Sequence, residues 1–447
     1  MPIRYLKCGI PLNAFVTITL AAFCFFNAIN LHAAEYQYLI EATALAEHIE
    51  NPQRNNFSND EDELEELLSQ QRLRGTLSRA TSKLVTSIDY QGTKNNYRKN
   101  LLVDRTYLTG ASSIEWIVVP ERLSWDVTNT RTLQIVDSLL PDTLDNRQVI
   151  SLTSTGPRVT FPLSGRNKLS GSVNYSIADY EKSSLSRQDR TTAELLFSHN
   201  FSSRYISSIG GNFLQSEFDD TPALDFDRYE YFWQNEYVTE VFDLNLMLGQ
   251  NAILRDNFED LENFLIRFTG DYKVNSQSTV QLNYSDSYED IFSNMLSTPS
   301  SSGQLIGDRL GNSNLTQNYQ LVQKGISYLY TKSEFFNMNV GYSESERKYD
   351  RLEIAENQFD KVFNVGANWK FFENLDFSLY GRYTEQEFSG IDRQQDRNEY
   401  GLRAAYRISK SLYTQFAASN IEQNGSYGLD NYDGFNASLS LTFVLGN

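Results

Sequence analysis

From Tyr432 to Asn447 the chain alternates: Phe435, Ala437, Leu439, Leu441, Phe443 and Leu445 point one way, and Asn436, Ser438, Ser440 and Thr442 the other. This is the pattern of an extended strand with an apolar medium on one face only. It recurs upstream at intervals of roughly 12 to 20 residues, with Gly, Asn, Asp and Ser at the breaks. No long amphipathic helix interrupts it. Tiling backward predicts strands over 432–446, 412–424, 396–409, 375–388, 357–371, 336–350, 317–331, 278–291, 261–274, 243–255, 227–240, 203–218, 187–200, 168–182, 147–163 and 122–136. Upstream follow 99–118, a long run 70–97 that must break near Ser82, and 35–47. The count is about 20, within a range of 16–22.

An even count has a physical meaning. An antiparallel sheet closed on itself, with both chain ends on one side, needs it. The expected fold is therefore all-β: a transmembrane antiparallel β-barrel of the outer-membrane type, forming a single domain over 35–447. Short connections fall on one side, at Val119–Glu121, Ser164–Asn167, Ser202, Phe242, Asn275–Gln277, Lys332–Phe335, Phe372–Asn374 and Lys410–Ser411. Longer ones, at His48–Ser69, Asp137–Asn146, Asp219–Phe226, Phe292–Thr316 and Gly390–Gln395, belong to the other, the cell exterior.

Alternation also assigns faces. Leu375, Phe377, Leu379 and Tyr383 are expected toward lipid, as are Phe363, Val365, Ala367, Trp369 and Phe371, and Tyr400, Leu402, Ala404, Tyr406 and Ile408. The opposite set is the expected lining of a hydrophilic lumen: Arg158, Arg267, Lys273, Lys370, Arg382, Arg403, Arg407, Glu194, Asp271 and Asp376. A charge among lipid tails costs a few kcal/mol, so the polar row must be the watery one. These residues either hydrate and pair across strands or contact a solute. The loop Phe292–Thr316, rich in Ser, Gly and Asn, either folds inward as a constriction or stays mobile at the surface. The acidic run Asn59–Glu66 lacks the ligand spacing of a calcium loop and is expected to be a solvated exterior segment. Bridging of divalent cations to lipopolysaccharide is its alternative role.

The N-terminus agrees with this location. Arg4 and Lys7 precede an apolar stretch from Ala14 to Ala28, ended by Ala33-Ala34. Residues 1–34 thus have the form of a secretory signal peptide. Both cysteines, Cys8 and Cys24, lie within it, so the mature chain is expected to have no thiol. It would retain 37 basic against 57 acidic residues, a net charge of −20. That excess of negative charge argues against a nucleic-acid partner. His48 and His199 are far apart and lack a flanking motif, and each is expected to be solvated or in the lumen. No Gly-x-Ser-x-Gly or His-Glu-x-x-His occurs, so neither an enzyme, a cofactor nor a metal site is expected. The expected partners are outer-membrane lipids, lipopolysaccharide and the barrel assembly machinery.

Gly156-Pro157-Arg158 followed by a strand, then Asn174-Tyr175, Asp179-Tyr180-Glu181 and Asp189-Arg190, resembles a group of outer-membrane barrels associated with PEP-CTERM and exopolysaccharide gene clusters. The group's frequent Thr-Asp-Asn near the end of the first strand is replaced here by Leu45-Ala46-Glu47-His48. The resemblance implies a role in extracellular polysaccharide production or export, with a polysaccharide as partner. It carries over no catalytic residues. Two functions stay open: a channel or export conduit, and a non-conducting structural or assembly barrel whose loops bind partners.

Overall fold

A computed structural model describes residues 36–53, 65–136, 143–182, 187–290, 292, 318–349, 357–389, 393–426 and 431–446. The expected leader, most of the acidic run, and 293–317 of the long loop lie outside the described residues. Twenty strands follow one another: β1 (Tyr36–Glu50), β2 (Glu65–Ala80), β3 (Leu84–Tyr97), β4 (Arg105–Val119), β5 (Leu123–Ile135), β6 (Arg147–Pro162), β7 (Asn167–Tyr180), β8 (Gln188–Ser202), β9 (Tyr205–Phe218) and β10 (Phe226–Val238). Then come β11 (Phe242–Leu254), β12 (Leu261–Asn275), β13 (Ser278–Glu289), β14 (Tyr319–Ser333), β15 (Phe336–Tyr349), β16 (Gln358–Phe372), β17 (Leu375–Phe388), β18 (Arg393–Ser409), β19 (Leu412–Gly425) and β20 (Tyr432–Gly446). Each pairs antiparallel with the next, and β1 pairs with β20 from Leu39↔Gly446 to Ile49↔Asn436. That last ladder leaves no open edge. The fold is a closed, transmembrane 20-strand barrel of the outer-membrane type.

At one end the turns are two to four residues long, from 81–83 to 410–411, and the two terminal strands also end there. Several share one device. A Ser, Thr or Asn side chain at the head of the turn accepts a backbone N–H two or three residues on. Examples are Ser202 Oγ from Tyr205 N (3.1 Å), Thr239 Oγ1 from Phe242 N (2.8 Å), Asn275 Oδ1 from Gln277 N (2.8 Å) and Ser333 Oγ from Phe335 N (3.1 Å). Such side chains replace the ladder where it must reverse. The ladder slips register beside several of these turns, at Asn200/Ser202, Lys273/Asn275, Thr331/Ser333 and Arg407/Ser409. Ser82 sits in the first of the turns, as the parity argument required.

The outer surface is apolar. Leu379, Phe363, Val365, Tyr400, Ile408, Leu439, Leu441 and Phe443 are all exposed, which lipid tolerates and water does not favour. Toward the short-turn end, rings line up across strands. Trp116 lies opposite Trp125, Phe242 stacks on Tyr272 at 4.9 Å, and Trp369 meets Phe336 at 5.2 Å and Phe377 at 6.1 Å. This is an interfacial aromatic girdle. His199 belongs to it rather than to the lumen or bulk solvent. It shares a row with Phe197, packs against Phe201 at 4.4 Å and holds Asn167 Oδ1 at 2.6 Å.

The strand expected over 99–118 begins only at Arg105, because 98–104 form a connection with Asn100 in the left-handed region (φ 57°). The same connection removes Glu66 from the solvated acidic segment. Glu66 is 1% exposed, and its carboxylate accepts N–H groups from Leu67 (2.9 Å), Lys99 (2.8 Å) and Leu101 (3.0 Å). A carboxylate with three backbone donors is satisfied without water.

Candidate functional site

The inner face changes character along the barrel axis. Toward the long-loop end it is packed rather than wet, which departs from the hydrophilic lumen expected above. Leu214, Phe218, Phe226 and Ile253 form one buried cluster on β9, β10 and β11. Leu68, Tyr97 and Leu102 form another, with Ile49 and Leu144 against it. A third joins Ile150 and Leu152 of β6, Ala178 and Tyr180 of β7, and Phe292.

Phe292 lies just beyond β13, seven strands along from β6. Alternation places Ile150, Leu152, Ala178 and Tyr180 on the same inward row as Arg158, so the chain after β13 runs into the lumen. The ladder explains how. β12 and β13 pair only as far as Ile266↔Asp286, whereas β13 stays with β14 up to Glu289↔Tyr319. The tip of β13 therefore leaves β12 and lies over the inner wall of β8 to β12. Asn251 Nδ2 donates to the Tyr288 carbonyl at 3.2 Å.

Three arginines meet this tip. The Arg190 guanidinium on β8 grips Asp290 bidentately, at 2.8 and 3.1 Å, with side chains only 2% and 6% exposed. Arg228 on β10 reaches Asp290 at 3.3 Å and Glu289 at 3.5 Å. Arg267 on β12 bridges Glu289 at 2.9 Å and Glu230 at 3.0 Å. Asn251 and Asn212 donate to Glu230 at 2.8 and 3.1 Å, and Ser287 donates to Glu289 at 2.7 Å. Phe292 caps the assembly: its ring lies 5.1 Å from the Arg190 guanidinium and edge-on to Tyr180 at 5.7 Å, and its N–H donates to Asp290 Oδ1 at 2.9 Å. Three cations face three carboxylates, and two of those carboxylates come from the tip.

The residues singled out in sequence are distributed as follows. All ten expected lining residues fall on the inward register row, but only Arg267 joins this network. Arg158 pairs with Asp126 at 3.0 Å, Asp271 accepts from Gln281 at 3.2 Å, and Lys370 stands opposite Asp376. Arg382 lies opposite Asn364 and Glu399, Arg403 opposite Ser378, and Glu194 opposite Ser172 and Asn212. Lys273 lies opposite Thr279, and Arg407 sits 5.5 Å over the Tyr413 ring. A second buried pair, Arg347 with Asp360 at 3.1 Å, occupies β15 and β16.

Sequence reading missed Arg228, Glu230, Glu289 and Asp290 as a group. Part of the signal was there, since Arg228 and Glu230 alternate with the outward Tyr229, Tyr231 and Trp233. The Gly156–Arg190 motif region, in turn, contributes directly. Arg190 and Tyr180 hold the tip, and Glu181 pairs with Arg105. A Cβ at Gly156 would stand 1.8 Å from the Val173 carbonyl oxygen, so the close backbone approach there requires glycine.

No protein-family model matches the chain, and no curated protein does either. Solved structures do. The FrpB iron transporter from Neisseria meningitidis is 8% identical, with 92% of this chain and 82% of that chain covered at a TM-score of 0.54. A mutant of the ferric enterobactin receptor PfeA from Pseudomonas aeruginosa is 11% identical, with 92% and 81% covered at 0.52. At such identities the likeness is one of fold.

Proposed function

We propose that the chain is a transport barrel of the outer membrane, passing a hydrophilic solute of extracellular polysaccharide production through its lumen. The observation that carries this reading is the charged network on the inner wall. Taking Arg190 and Arg228 largely out of water, with Arg267 half-buried beside them, costs desolvation that well-packed apolar residues would avoid, so a barrel serving only as an anchor gains nothing from them. Arginine, tyrosine and asparagine side chains along the inner rows suit sugar hydroxyls and acids. The sequence resemblance to exopolysaccharide-associated barrels supports that cargo class, and the likeness in fold to FrpB, named an iron transporter, supports transport as such. On this reading residues 1–34 export the chain, lipid and lipopolysaccharide surround the belt, and the assembly machinery inserts it.

A non-conducting structural barrel is the second reading, favoured by the apolar clusters that pack the long-loop end of the inner face. Purified protein in planar bilayers separates the two. Stepwise conductance is expected, in the native chain or after Asp290→Asn, and its absence from both would leave the structural reading.

A further inference from the structure

We infer that Arg190 and Arg228 form an anion site in the lumen which the chain's own Asp290 fills, and that a carboxylate-bearing saccharide is the ligand it stands in for. This deepens the transport reading and rests on it. Two Arg190 N–H groups donate to Asp290, one to each carboxylate oxygen, which is the two-point contact a guanidinium fork makes with an acid. Beside it, Phe292 fills an apolar pocket of Ile150, Leu152, Ala178 and Tyr180. A planar carboxylate next to a ring is also what an acidic sugar presents, with one ring face for the aromatic edge of Tyr180.

Charge counting gives the site its sign. With the tip in place, Arg190, Arg228 and Arg267 are balanced by Glu230, Glu289 and Asp290. Glu289 and Asp290 leave with the tip, whereas Glu230 belongs to the β10 wall. Withdrawal of the tip takes two carboxylates away and leaves the wall more positive by two charges. The polar groups around it are already oriented: Gln188 accepts from both Arg190 and Ser216, and all three are buried. A buried ion pair gains little over its desolvation cost. An incoming carboxylate that makes the same fork can therefore replace Asp290 at small net cost, and the occupant of the site decides whether the tip lies in the lumen.

The test uses the full mature chain folded in detergent, with trigalacturonate as probe and neutral maltotriose as control, in the native protein, Asp290→Asn and Phe292→Ala. Asp290→Asn keeps shape and hydrogen bonding while removing the competing charge, and heat-modifiable migration in gels checks that each variant is folded. Removing the internal competitor is expected to tighten trigalacturonate binding at least tenfold, with Phe292→Ala in the same direction and maltotriose unchanged. Equal trigalacturonate affinity in the native chain and both variants overturns the anion site, as does an equal gain for maltotriose. Bilayer recordings keep this separate from the transport reading. A binding gain without conductance sinks transport and leaves the site, and conductance without a binding gain does the reverse.

Discussion

At the scale of single residues, the barrel asks of each position only which solvent it meets. Leu379 is 42% exposed on the outer face, while its neighbour Ser378 lies on the inner row opposite Arg403 and Asn368. Leu379→Arg is expected to cost about 2 to 4 kcal/mol near the bilayer midplane, and Ser378→Arg at most about 1 kcal/mol, from the like charge of Arg403 across the strand pair. Urea titration of the folded barrel in lipid vesicles measures both, and similar losses would refute the face assignment. This part of the chemistry was legible from alternation. Glu66 was not, because the donors that satisfy it belong to a connection 33 and 35 residues away.

Elements form here by a division of labour between strand and turn. Strands carry the period of two, and the short turns carry Ser, Thr or Asn where a side chain must stand in for a missing ladder bond. The closing strand β20 has the strictest alternation and sits between β19 and β1. Phe443 is on its outer row, opposite Ala42 and Leu412. Phe443→Asp is expected to lose the protein to periplasmic proteolysis, whereas removal of Gly446-Asn447 leaves outer-membrane levels nearly intact. Immunoblots of membrane fractions check this, and normal levels of Phe443→Asp would remove the special role of this strand. Boundaries at the long-loop end were less legible. Polar residues there continue the strand pattern into segments that bend away, as 98–104 do.

For the whole molecule, closure is the decisive event, and it joins residues at opposite ends of the chain. Thr43 and Thr442 are direct partners with hydroxyls 2.9 Å apart. The mature chain is expected to have no cysteine, so Thr43→Cys with Thr442→Cys gives a single thiol pair. Mild oxidation is expected to cross-link it nearly completely, seen as a shift in non-reducing gels after unfolding, and no shift would mean that the barrel is not closed in this register. Orientation follows from loop length. An epitope inserted after Asp220 should be labelled on intact cells, and one between Ser276 and Gln277 only after permeabilisation. Labelling in the reverse order would turn the barrel over.

The period of two placed most strands and the outer face, because each is local: a strand in a bilayer must show every second residue to lipid whatever its neighbours are. The break at Ser82 came instead from the even count that a closed sheet needs. The same logic gave the inner row its polarity but not its pairings. Arg190 and Asp290 stand 100 residues apart, and they meet because the tip of β13 leaves β12 and lies across the inner wall. No alternation encodes that bend, since the inward face accepts water, ions or packed side chains alike. Which of them fills a given stretch of the lumen is decided only when the sheet closes and brings distant strands within reach.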